Sequence, residues 1–156
     1  MTTTLPTTAS AALEQRLREL EDRTELTSLV DRFVQALDDP DQLTEDRYRT
    51  LLTEDVRLTL PNGTHQGVAG LPGFLDAPKA LWARSQHYAT NTLVEVDGDR
   101  AAVSANLQAV HVPHDDADPV FVGGARYDAR AERTPAGWRL SEVAVAVRWG
   151  LSRGRG

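Results

Sequence analysis

The stretch QHYATNTLVEVDGDRAAVSANLQAVHV, Gln86 to Val112, decides how the chain folds. Asp97-Gly98 separates two runs in which apolar and polar residues alternate, and such a pair between such runs is a strong β-hairpin signal. Alternation continues downstream in VFVGGARYDARAERT (Val120 to Thr134) and WRLSEVAVAVRW (Trp138 to Trp149), joined at Pro135-Ala136-Gly137. Upstream, apolar residues recur at the spacing of a helix instead. Helices first and long antiparallel strands after give an α+β domain: a cone-shaped α+β barrel, its curved antiparallel sheet wrapped around N-terminal helices and enclosing a pocket. Gly123-Gly124 inside a strand marks a bulge where the sheet bends.

In the helical half, Leu13, Leu17 and Leu20 form a short stripe. Asp22 and Glu25 then have capping-box spacing ahead of a stronger stripe, Leu26, Leu29, Val30, Phe33, Val34 and Leu37. The i+4 continuation from Val30 and Val34 lands on Asp38, so this carboxylate lies on the core-facing side near the helix end, ahead of Pro40. A second helix is expected over residues 41–52, with Leu43, Tyr48, Leu51 and Leu52 inward. Val56 to Leu60 reads as a strand, Pro61-Asn62-Gly63 as a turn, and residues 67–83 as a Pro-interrupted helical segment.

Composition narrows the function. The 156 residues, 40% hydrophobic and 26% charged, suit one globular domain. Residues 1–9 are expected to be a flexible arm, 10–150 the domain and 151–156 a flexible tail. A net charge of -6 opposes binding to a phosphate backbone, so nucleic acid is not an expected partner. The absence of cysteine excludes disulfides, thiolate nucleophiles and cysteine-ligated metals. With no secretory leader and no apolar run of membrane-spanning length, the chain reads as cytoplasmic, with no membrane partner.

Four histidines are available: His65, His87, His111 and His114. Alternation places His87 on one strand face with Ala89, Asn91 and Leu93. If that face is concave, Asp38 and His87 form a minimal general acid/base pair, the carboxylate fixing the imidazole's tautomer. The alternative is structural: a helix-end Asp and a hydrogen-bonded His. HVPHDDAD (His111 to Asp118) holds metal-ligand types, but residues three apart on a strand point to opposite faces, so no metal is expected. His111 and His114 cannot both line the pocket on a regular strand. Nucleophile-elbow, Walker and dinucleotide-binding glycine motifs are absent.

The element order, with ALDDPDQL, LLTEDVRL, SQHYATNTLVEVDGD, VPH, RTPAGWRL and RWG in their sequence positions, resembles the nuclear-transport-factor-2-like fold, in particular SnoaL-like domains of the scytalone-dehydratase type. The resemblance spans about residues 22–150. It implies Asp38 as the catalytic aspartate and His87 and His114 as the paired catalytic histidines, VPH favouring His114 over His111. Phe33, Leu37, Leu60, Phe74, Asn91, Val112 and Tyr127 are the implied substrate contacts, with no cofactor. Leu37 and Leu60 stand where scytalone dehydratases carry carbonyl-polarising tyrosines, which disfavours scytalone and leaves Tyr127, Asn91 or Tyr48 for that task.

The expectation is a cofactor-independent lyase or isomerase acting on a small hydrophobic, polyketide-like secondary metabolite by dehydration, isomerisation or cyclisation. A non-catalytic binding module and an epoxide-hydrolase-like enzyme are the alternatives. Val143, Val145 and Val147, read as an apolar outer face, and the family's habit of association imply a homodimer or homotrimer.

Overall fold

A computed structural model describes residues 7–39, 41, 43–115 and 118–153. Helix α1 (Thr7–Asp38) runs unbroken for 32 residues. It begins inside the expected arm because Ala9, Ala11 and Ala12 are strong helix formers; residues 1–6 lie outside the described residues. Asp22 and Glu25 do not start a second helix. Their carboxylates reach across to the sheet, where Asp22 accepts from Trp138 Nε1 at 3.0 Å and Glu25 from the Trp138 main-chain N–H at 2.8 Å. The stronger stripe is buried: Leu26, Leu29, Val30, Phe33 and Val34 are at most 3% exposed. Each such side chain contributes about 1.5–3 kcal/mol by leaving water. Leu13, Leu17 and Leu20 stay exposed.

Helix α2 is shorter than expected, Glu45–Arg49, because Thr44 caps it by accepting from the Arg47 N–H. Its inward residues are as read: Tyr48, Leu51 and Leu52 are buried and Leu43 packs against the core. Pro40 and Gln42 lie outside the described residues. Strand β1 (Leu52–Leu60) turns at Pro61-Asn62 into a short β2 (Gly63–Gln66). Gly67–Gly70 is a turn, and the expected helical segment reduces to α3 (Leu71–Asp76) and a 3-10 turn (Ala77–Ala80). Four long strands follow: β3 (Trp82–Asp97), β4 (Arg100–Pro113), β5 (Val120–Thr134) and β6 (Gly137–Arg153). β6 outruns the expected domain end because residues 151–153 pair with the first residues of β5; residues 154–156 lie outside the described residues.

The six strands lie in the order β2-β1-β6-β5-β4-β3, a curved, unclosed sheet with α1 packed on its concave side. All neighbours are antiparallel except β1 and β6, which are parallel. A parallel pair needs a crossover connection, and here the intervening four strands and the α3 segment supply it.

Bulges bend the sheet and decide which side chains face in. One falls where Gly124 pairs with Trp149 and Ala125 with Val147, leaving Arg148 extra. Gly124 suits this place, since a Cβ there would run into the Trp149 indole. A second falls between Thr90 and Leu93, with Asn91 at φ 55. It flips the alternation, so Val94 is buried while Asn91 and Leu93 are exposed. Val143, Val145 and Val147 were expected outside but face in: Val143 is buried, and the other two line a cavity. The outer face shows Tyr88, Trp149 and Leu151 instead, in adjoining rows of the register.

Candidate functional site

Between the C-terminal end of α1 and the concave face of the sheet lies a cavity of about 670 Å³. Its walls are mostly apolar, with Leu37, Leu60, Leu107, Phe121, Val145 and Val147 among them. Leu75 of α3 and Pro78 of the 3-10 turn also line it. The polar side chains at its surface are few: Asp38, Asn62, Arg84, Ser85, His87 and His111.

Asp38 is the last residue of α1, one turn past Val34, so the buried stripe itself aims it at the sheet. Beyond it the chain leaves the helix, Asp39 accepting from the Asp41 N–H at 3.0 Å. Asp38 holds His87 twice. Its Oδ2 accepts the His87 main-chain N–H at 2.8 Å, and its Oδ1 lies 2.5 Å from His87 Nδ1. The side chains are 22% and 15% exposed, so the pair is half-buried and shielded from bulk water. With Nδ1–H donated to the carboxylate, Nε2 carries the lone pair.

Beside this pair lies His111, its ring edge-on to His87 at 5.3 Å and 74°. It is the direct cross-strand partner of Ser85, and its Nδ1 is 2.8 Å from the Ser85 hydroxyl. Trp82 and Phe121 lie nearly parallel to the His111 ring, with centroids 5.2 and 5.9 Å away. Burial holds the His111 imidazole below the usual histidine range; His87 adds to that, and Asp38 opposes it.

Of the residues expected in the site, Asp38, His87, Leu37 and Leu60 line the cavity. His114 does not. β4 ends at Pro113, His111 takes the inward position of the alternation, and His114 sits exposed past the strand end. Val112 points to the other face for the same reason, and Asn91 is carried out by the bulge, where its Oδ1 accepts from Asn106. Phe33 is in the core against Tyr48, and Phe74 stacks on His65. Tyr127 and Tyr48 are buried outside the cavity lining, their hydroxyls without a partner among the described residues, so neither is placed to polarise a carbonyl there. Sequence reasoning missed Ser85, Trp82 and Phe121. Ser85 was legible as two residues from His87 on the same face. Trp82 depends on a bulge at Ala83 that nothing in the local sequence announces.

A family model described as a SnoaL-like domain matches residues 18–144. Solved structures of the same shape include a nuclear-transport-factor-2-like protein with a cystatin-like fold from Novosphingobium aromaticivorans, 26% identical, covering 93% of this chain and 92% of that one with a TM-score of 0.68. The hexachlorocyclohexane dehydrochlorinase of Novosphingobium barchaimii is 19% identical, with coverage of 88% and 93% and a TM-score of 0.76. A scytalone-dehydratase-like protein of Novosphingobium aromaticivorans is 14% identical, with coverage of 88% and 91% and a TM-score of 0.73. No curated protein matches the chain in sequence.

Proposed function

The chain belongs to the SnoaL-like family, and on that premise we propose that it is a cofactor-independent lyase or isomerase acting on a small, largely apolar, polyketide-like metabolite. The observation that carries this reading is the Asp38–His87 pair set in the wall of an apolar cavity. Asp38 keeps the proton on Nδ1, so Nε2 is the base. It takes a proton from a carbon beside a carbonyl, and the C–H electron pair moves into the substrate. Elimination follows if that pair expels an oxygen or halide leaving group. Double-bond migration or ring closure follows if the proton returns to, or the pair attacks, another carbon. In each case His87 gives up the proton it took, either to the departing oxygen, to the relocated carbanion or to solvent. Apolar walls strengthen the Asp38–His87 interaction and keep water from quenching the intermediate.

Among the described residues the cavity holds one carboxylate, Asp38, whereas an epoxide hydrolase of this fold needs two around an arginine. The second catalytic histidine in this reading is His111, since His114 is outside the cavity. The likeness to a dehydrochlorinase adds halide to the leaving groups to be tried.

The test is mass-resolved chromatography of hydroxy-ketones, polyketides and a chlorinated cyclohexane incubated with wild type, Asp38→Asn and His87→Gln. Loss of water or of hydrogen chloride identifies a lyase, and a product of unchanged mass an isomerase or cyclase. Products that persist in both variants would remove the pair from the chemistry, and no product from any substrate would favour a binding module. The apolar outer face of Tyr88, Trp149 and Leu151 supports self-association, which light scattering reads as a mass of two or three chains.

A further inference from the structure

Scytalone-type chemistry takes its carbonyl polarisation from tyrosines, yet the cavity has leucines at those positions and both buried tyrosines point elsewhere. Some other donor must meet the negative charge that develops once His87 removes a proton. His111 is the cavity side chain best fixed for it. Its ring is tiled with Trp82 and Phe121 in nearly parallel planes, and its Nδ1 is engaged by Ser85, so only Nε2 remains for a ligand.

What Nε2 offers depends on the direction of the Ser85–His111 hydrogen bond. Were Nδ1–H to donate to the hydroxyl, the serine hydrogen would find no other acceptor among the described residues, and Nε2 would present a second lone pair beside that of His87. Were the hydroxyl to donate to Nδ1, both groups are satisfied and Nε2 bears the hydrogen. We infer that Ser85 is a positioning residue whose hydroxyl donates to His111 Nδ1, fixing the neutral tautomer that turns an Nε2–H toward the substrate. This deepens the proton-transfer reading above and rests on it.

His111 then acts as a neutral donor, not as a charged acid. Its depressed basicity agrees, caused first by burial and then by His87. The charged or titratable groups around it are Asp38 from α1 and His87 and Arg84 from β3; β5 contributes the uncharged Phe121. When His87 takes the substrate proton, the new imidazolium stands edge-on 5.3 Å away and opposes charge on His111 further. A preorganised N–H in an apolar cavity is the kind of group that stabilises an enolate oxygen or a departing anion.

The test reads the tautomer directly. Nitrogen-15 spectra of the histidine rings in the wild-type protein distinguish Nε2–H, Nδ1–H and doubly protonated His111 without any substrate. The inference expects a neutral Nε2–H ring at neutral pH; an Nδ1–H ring or an imidazolium would overturn it. Ser85→Ala is expected to mix the tautomers, and Ser85→Thr, which keeps the hydroxyl, to restore the wild-type spectrum. An unchanged ring in Ser85→Ala would remove Ser85 from the role. Once a substrate is in hand, Ser85→Ala should lower kcat about tenfold with little change in KM. Because the spectra need no turnover, absence of activity would sink the functional reading while leaving the tautomer assignment standing. Asp38-dependent turnover by a protein with an Nδ1–H His111 would do the reverse.

Discussion

Helix α1 is tied to the sheet by carboxylates at two levels, and the two ties are built differently. In its middle, Asp22 accepts both Arg133 terminal nitrogens at 2.8 Å and Trp138 Nε1 at 3.0 Å. Arg133 also reaches Asp99 and covers the Trp138 ring at 4.4 Å. That tie leads from a fixed charge into the fully buried Trp138 indole. At the end of the helix, Asp38 meets the main chain and Nδ1 of His87, and beyond His87 lies the cavity. The same acid, projecting from the same helix to the same sheet, is a pin against a guanidinium at one level and holds an imidazole beside a cavity at the other. What differs is the partner: a guanidinium cannot give up its charge near neutral pH, and an imidazole can.

The contrast is sharpest in activity. Asp38→Asn is expected to lower turnover about 1,000-fold while the thermal midpoint barely moves. The matching change at the other level, Asp22→Asn, should leave kcat of the folded protein unchanged.

Stability should show the converse. Asp22→Ala leaves the two Arg133 terminal nitrogens and the Trp138 Nε1–H without their acceptor, Asp99 still holding Arg133 Nε, and is expected to cost about 2 kcal/mol in urea unfolding. An equal loss from Asp38→Ala would mean that both ties are structural.

The two levels also separate in pH. Hydrogen bonds from Arg133 first, then Trp138, hold the Asp22 carboxyl below its ordinary value of 3.8. Its contribution is therefore full above that value and lost as pH falls through the lower folded value. His111 is depressed from 6.5, so the unfolded chain takes its proton first. Stability from that source is full above 6.5 and declines as pH falls from there through the folded value. Unfolding curves taken across this higher window should lose that slope in His111→Phe and keep it in Asp22→Asn. The smallest effect is reserved for Arg133→Lys, which keeps the charge but loses the two-pronged geometry, at about 1 kcal/mol.

Much of this contrast was legible before the structure. The periodicity of Leu26 to Leu37 puts Asp38 on the buried side because a helix repeats, and alternation puts His87 inward because a strand repeats. Asp22 and Glu25 misled, since capping-box spacing is also the spacing of two side chains on one helix face, and only tertiary contact shows which use applies. The strands are all present, but bulges at Ala83, Asn91 and Arg148 reset their faces. That is why Asn91 is outside and why Trp82 could not be foreseen. A further bulge at Ser141, where Arg130 pairs with Glu142 and Ala131 with Leu140, puts both Leu140 and the Val143, Val145, Val147 row inside. His114 gave way to His111 through the alternation that ruled out both together. The SnoaL-like resemblance spanned nearly the residues the family model matches, yet it carried positions without cavity shape: Phe33 and Tyr127 lie in the core, and Phe74 is half-buried against His65.

The most direct measurement is turnover by Asp38→Asn and Asp22→Asn side by side, at equal folded concentration, on whichever substrate of the panel the wild type converts. The account predicts loss of product with the first and wild-type rates with the second. Equal rates in the two variants, whether high or low, would contradict it and return Asp38 to the role of a second pin.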